Sequence, residues 1–438
     1  MSISRRLFLK NGAIALASVG VGPLFGPTFL RSTAFGQTTA QRRKKVLICI
    51  FQRGAADGLN IVVPHGDRDL YTHRPGFAIL RPSSTDPQSA IDLDGFFGLH
   101  PALAPFVPIY KAGHLAAIQA CGSPDATRSH FDAQDFMEAG TPGDKRYPDG
   151  WMSRAVLACP EDRAKLEAAM SPFRAVAMGC DNGLPRSLQG DVGALAIPDL
   201  TQFGIGLKNL KGKLTAGSGQ AGVVDGFESI YDDAVGDVLH GTGKESFEAI
   251  AALKRINPGS YVPANGAKYP GGRFGQSMRQ IAQLVKADVG VEVAFAEMGG
   301  WDTHTTQAGR LNQQLRDFGQ GISALYTDLG DKMSDVVILT MSEFGRTVRP
   351  NGTNGTDHGH ATCFFALGGD VNGGRVLGKW PGLAPEQLYE NRDLALTTDF
   401  RAVFGEVAMK HLGAQGLQKI FPGYTGTPSD FRGVMRTS

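Results

Sequence analysis

The chain has 438 residues, of which 42% are hydrophobic and 20% charged, with a formal net charge of +2. Such a chain can bury a large core, and a charge this close to zero argues against a nucleic-acid binder. Its five cysteines (Cys49, Cys121, Cys159, Cys180, Cys363) are odd in number, widely spaced and without a C-x-x-C pair, so no disulfide framework is expected. The 58 glycines are the compositional anomaly, implying many tight turns and close backbone approaches, as where loops rather than helices hold the chemistry.

The N-terminus reads as an address rather than as fold. Residues 4–10 (SRRLFLK) form a paired-arginine segment, and an uncharged stretch follows over 11–30. Gly12, Gly20, Gly22, Pro23, Gly26 and Pro27 interrupt it too often for a membrane span, and Ala34-Phe35-Gly36 supplies small residues for cleavage. The order of Arg-Arg, Phe and Lys resembles a twin-arginine export signal. That resemblance implies residues 1–36 as a signal, a periplasmic or secreted protein, and the export machinery as a transient partner. It also implies folding, and metal uptake, before export. Cleavage removes Arg5, Arg6, Lys10 and Arg31 and no acid, taking the formal charge from +2 to −2. No stable membrane span and no lipid anchor are expected afterwards.

Residues 46–51 (VLICIF) form a continuous apolar run that suits a parallel strand buried on both faces. The run ends in RGAADGLN, where glycines around Asp57 let the backbone turn sharply and aim that carboxylate, or leave Asp57 to bond its own turn. Residues 64–98 read as irregular surface chain. Pro101 opens a helix over 102–111, and 115–121 is the second strand. It leads through Arg128 into a helix to 138, capped by Ser129 or Thr127; a helix start at a strand end is a ready anion site. A helix over 151–158 precedes a third strand at 174–178, followed by a loop carrying Asp181. Residues 190–220 carry little pattern, and with a helical 224–257 they are expected as an accessory insertion, around 190–260, away from the sheet. Helical spacing of Met278, Ile281, Leu284 and Val285 covers 274–287. The fourth strand, 291–296, ends in GGWDTH, where Asp302 and His304 share a face in extended chain. A long helix over 306–332 then leads to the fifth strand, 335–340. After it comes MSEFGRTVRPNGTNGTDHGH, with Glu343, Arg346, Asp357, His358 and His360 packed closely before another apolar run at 362–367. The chain closes with a helix capped by Thr398-Asp399 and running to 410, then a Gly/Pro-rich tail.

The charged motifs fall just after predicted strands in a strand–helix order. Parallel strands of one sheet end on the same edge and bind ligands in the crevice there. Chain order alone therefore predicts that Asp57, Ser129, His130, Asp181, Asp302, His304 and Glu343 gather in one cleft of a single α/β domain over 37–438.

The motifs RGAADGLN, RSHFDAQ, GGWDTH, SEFGRT and GTDHGHA, with the twin-arginine start, resemble a family of exported bacterial proteins of unknown function, over nearly the whole mature chain. That family looks like a branch of the alkaline phosphatase and sulfatase superfamily. The resemblance implies a mostly parallel sheet sandwiched by helices, one or two divalent metal ions, and hydrolysis or transfer of phosphate or sulfate esters, the substrate being a small molecule or a polymer. Carried over by position, Asp57, Asp302, His304, Glu343 and His358 (or His360) stand as metal ligands. Where Phe344 stands a second ion loses a ligand unless Asp357, His358 or His360 replaces it. Arg128 or Arg346 is expected to neutralise the oxyanion, a water or Ser129 to attack, and His130 or His360 to protonate the leaving group. The Glu343-Phe344 pair departs from the superfamily's usual Asp-His. It motivates the alternative, a non-catalytic exported protein that keeps the fold to bind metal or a partner.

Overall fold

The computed structural model describes residues 45–159, 171–180, 183–201 and 258–437. Residues 1–36, expected as a signal, Asp181, and the stretches between 202 and 257 expected as Gly/Ser-rich and helical lie outside the described residues.

The strands are β1 (Val46–Gln52), β2 (Val62–Val63), β3 (Ile91–Asp92), β4 (Gly98–Leu99), β5 (Leu115–Gly122), β6 (Ala175–Met178) and β7 (Ala194–Ile197). They continue with β8 (Val293–Met298), β9 (Val336–Met341), β10 (Thr362–Gly368), β11 (Arg375–Leu377) and β12 (Thr398–Asp399). Nine of them make one sheet in the order β11-β5-β10-β9-β1-β8-β6-β7, with β12 also pairing β5. β2, β4 and β3 form a small antiparallel sheet beside it. Among the described strands of the main sheet only β10 runs against its neighbours; every other pairing among them is parallel. The C-terminal ends of the parallel strands and the start of β10 therefore share one edge.

The alternation of side chains along a strand explains why both faces are apolar. In β1, Val46, Ile48 and Ile50 enter one core with residues of the helices Gly272–Lys286 and Gln307–Leu329. Leu47, Cys49 and Phe51 enter the other, with residues of His130–Ala139, Trp151–Leu157 and Phe400–Val407. The protein is thus α/β, a mostly parallel mixed sheet flanked by helices.

Three places differ from the sequence expectation. Residues 194–197, placed in the accessory insertion, form β7 at the edge of the main sheet; four residues of small and apolar type are too short a signal to separate from loop. Residues 64–98, expected as irregular surface chain, contain the helix Arg68–His73 and strand β3, and they deliver the wholly buried Arg74. The helix expected over 102–111 starts as a 3-10 turn, Pro101–Phe106, and becomes α-helical at Val107–Lys111, since Pro105 and Pro108 lack the N–H that a continuous helix needs.

Asp328 shows how the helical layer is fastened. It accepts from Tyr261 and Tyr269 Oη at 2.7 Å each, from the Ala264 N–H at 2.7 Å and from Lys286 Nζ at 2.8 Å. Burial pushes its carboxyl up, but Lys286 and these donors outweigh burial and hold it below the ordinary value. A depressed folded-state pKa stabilises the fold above the unfolded carboxylate value of about 3.9, and that stabilisation is lost as pH falls through the folded one. Urea titrations of Asp328→Asn against the parent should show a large stability gap at neutral pH that closes in acid. A gap independent of pH would rule this account out.

Candidate metal centre

The site grows out of the common sheet edge. After β1 the chain turns at Gly54, whose φ is +117° and where a Cβ would lie 2.5 Å from the Asp302 nitrogen. Only glycine allows the β1 and β8 loops to approach this closely. Beyond β5, Ser129 caps the helix His130–Ala139 by accepting from the Asp132 N–H at 3.5 Å, which sets His130 in the first turn. Beyond β8 come Asp302 and His304. The chain between β9 and β10 carries Glu343 and His358, the latter pinned by an isolated bridge to Arg346.

Three imidazoles meet at one carboxylate oxygen. Asp302 Oδ1 lies 3.0 Å from His304 Nε2, 3.4 Å from His358 Nε2 and 3.5 Å from His130 Nε2. The two Nε2 atoms of His304 and His358 are 2.9 Å apart. Ligand atoms of His130, Asp302 and His358 all fall within 4.8 Å of one another.

The far side of each ring fixes its tautomer. His130 Nδ1 is 2.8 Å from Glu343 Oε1, His358 Nδ1 is 2.8 Å from the Arg128 carbonyl, and His304 Nδ1 is 2.9 Å from Asp357 Oδ1. Carbonyls and ionised carboxylates only accept, so each Nδ1 carries the proton and donates. Each ring therefore turns its Nε2, the second nitrogen, toward Asp302. His130 Nε2 is buried with no hydrogen-bond partner among the described residues. Lone pairs facing one another and a carboxylate at these distances need a cation between them, a proton or a metal ion. Ligand atoms about 2.0–2.2 Å from one ion lie roughly 3–3.5 Å apart, close to the separations from Asp302 Oδ1 and between His304 and His358. Residues holding the outer nitrogen of each imidazole, as here, are the usual support of metal-bound histidines.

Charge follows the same geometry. Glu343 is fully buried, which pushes its carboxyl up, yet His130 and Gln134 hold it below the ordinary range. The hydrogen bond to Glu343 raises the His130 pKa against the opposing effect of burial. Burial lowers that of His358, keeping it the neutral ring that a ligand must be. Burial pushes Asp302 up, and Arg346 outweighs it to keep the carboxylate ionised. Hydrogen bonds from Asn351 and His304 lower Asp357. A metal ion entering the centre would compete with any proton on the His130 Nε2.

The other expected site residues are placed as follows. Glu343 stands behind His130 rather than at the centre: its Oε1 accepts from the Gly54 N–H, His130 and Gln134 Nε2, all at 2.8 Å. Asp57, expected as a ligand, is 1% exposed and outside the cluster. Arg74 holds it from two nitrogens, at 2.7 and 3.0 Å, and Gln307 Nε2 donates to it at 2.5 Å. A guanidinium thus fills the cation's place beside Asp57. Arg346, expected at the oxyanion, is buried and donates to the carbonyls of Ala55, Thr356, Gly54 and Trp301 and to Asp302 Oδ1. It acts as a brace for Asp302. His360 stacks on Tyr389, with ring centroids 4.2 Å apart, away from the three converging rings. The Arg128 guanidinium binds Glu390 and Asp393. Phe344 packs at 4.9 Å against the His130 ring and at 5.1 Å against that of His358, walling the centre.

Sequence reading missed Gln134, Arg74 and Gln307. Gln134 had a usable signal, since it lies one helical turn after His130 and both reach Glu343. Arg74 had none, sitting in a stretch rich in polar residues.

Fold and site together define an α/β protein with a His/Asp cluster at the strand-end edge. Residues 247–419 match the family model DUF1501, described as a protein of unknown function. The match spans Asp302, His304, Glu343, Arg346, Asp357, His358 and His360. No curated protein matches the chain.

Proposed function

We propose that this chain is an exported metal-dependent hydrolase of the alkaline-phosphatase-like type, acting on phosphate or sulfate esters. The observation that carries the reading is the convergence of three Nδ1-anchored imidazoles on Asp302 Oδ1. His130, Asp302 and His358 would hold the ion, with His304 as the fourth donor. Three imidazoles and one carboxylate suit a zinc-like transition ion better than magnesium or calcium. When bound, such an ion polarises an ester oxygen and activates a water. Glu343, the Arg128 carbonyl and Asp357 keep the rings aimed, and Arg346 keeps Asp302 charged and in place. Asp302 is 45% exposed and His304 40%, so an ester can approach from that flank. With Ser129 engaged as a helix cap, the attacking oxygen comes from water. Export by the twin-arginine route rests on the N-terminal motif.

One observation favours the alternative of a non-catalytic metal-binding protein: Arg346 is saturated by backbone carbonyls, so the centre lacks that oxyanion-binding side chain. Metal analysis of protein folded in its own cytoplasm, followed by a screen of phosphate and sulfate esters, separates the readings. About one transition-metal ion per chain with turnover is the expected result. One ion without turnover supports the alternative, and a metal-free protein removes both.

A further inference from the structure

Arg128 is tied to the centre through its own carbonyl, which accepts from the ligand candidate His358. Its guanidinium is used in an unusual way. Glu390 and Asp393 both take the same nitrogen, Nη2, at 2.6 and 2.8 Å, while the Nε–H is buried with no partner among the described residues. The side-by-side Nε and Nη2 donors, the fork that matches tetrahedral oxyanions, are thus half occupied.

The two carboxylates are not equivalent. Asp393 is wholly buried and also accepts from Arg392 Nε at 3.0 Å, so it is a fixed counter-ion. The Glu390 side chain is 52% exposed and sits at the tip of a hairpin closed by mutual hydrogen bonds between Tyr389 and Asp393. Glu390 and Asn391 have φ of +51° and +52°. Asn tolerates that left-handed conformation; Glu does not favour it. The same hairpin borders the site, because Arg392 donates to the His358 carbonyl. A carboxylate is held there on a strained backbone, bonded to Arg128 and Tyr389 on a solvent-exposed flank.

We propose that Arg128 is an oxyanion subsite beside the His130–Asp302–His358 centre, and that the Glu390 carboxylate occupies it until the phosphate or sulfate group of a substrate displaces it. An entering tetrahedral anion takes Nη2 together with the vacant Nε–H, while Asp393 stays in place and keeps the arginine aimed. The inference rests on the oxyanion-ester reading above.

Calorimetric titration with inorganic phosphate, in buffer free of other oxyanions, tests it. Glu390→Gln should bind phosphate at least fivefold more tightly than the parent chain. Glu390→Gly should show the same gain, and it is the safer variant for folding because glycine accepts the left-handed backbone. Adding Arg128→Ala to either should abolish the gain. Equal affinities in parent and variants, no phosphate binding in any of them, or a gain that survives loss of Arg128 each overturn the proposal. Metal content of the same preparations keeps the two readings apart. An ion without a phosphate gain overturns this inference alone; a gain in a metal-free protein overturns the metal reading and supports the exchange at Arg128.

Discussion

Asp302→Ala is expected to lower the affinity for a zinc-like ion by at least a hundredfold, with the fold intact. Asp302 Oδ1 lies within 3.5 Å of all three converging imidazole nitrogens, so its removal takes away the carboxylate on which they meet. Partial exposure of the side chain lets water replace it, so the fold survives. Arg346 then loses a carboxylate but keeps its four carbonyl acceptors. The readouts are ion content after dialysis against a weak chelator and the far-UV spectrum. Full metal retention in a folded variant would place the ion elsewhere; loss of the fold would be separated by Asp302→Asn, which preserves shape and a neutral oxygen.

The largest effect on stability is expected at Arg74, well away from any exposed surface. Arg74 is fully buried, and it pairs bidentately with Asp57 while donating to the Val348 and Thr347 carbonyls at 2.7 and 2.8 Å. Breaking a buried pair by removing one partner costs about 3–5 kcal/mol, because the remaining charge stays buried without compensation. Arg74→Met should therefore lose about that much in urea denaturation. Adding Asp57→Asn should recover part of the loss by removing the stranded charge. A single variant within about 1 kcal/mol of the parent, a typical surface-pair effect, would show that Arg74 is dispensable. The same geometry gives Asp57 three side-chain donors, two from Arg74 and one from Gln307.

The sequence was most legible where burial is two-sided. Runs such as 46–51 and 335–340 have no polar alternation, and only a strand covered on both faces accepts that pattern; β1 and β9 match within a residue or two. It was least legible at β7, where ALAI is shared by strands, helices and loops, and at Arg74, whose burial depends on a partner 17 positions away.

The site divides in the same manner. Placing charged motifs after strands brought His130, Asp302 and His304 to one edge, because parallel strands that share a direction must also share an end; His358, before β10, came instead from the resemblance. What the linear order could not distinguish is ligand from support. Glu343 and Asp57 carry carboxylates as suitable as Asp302's, and only neighbours remote along the chain decided between them: His130, Gln134 and the Gly54 amide around one, Arg74 and Gln307 around the other. The chain's own pattern determined which edge of the sheet gathers the chemistry. The tertiary structure decided which side chains converge there, since a carboxylate's free lone pairs depend on every donor that folding brings within hydrogen-bond reach.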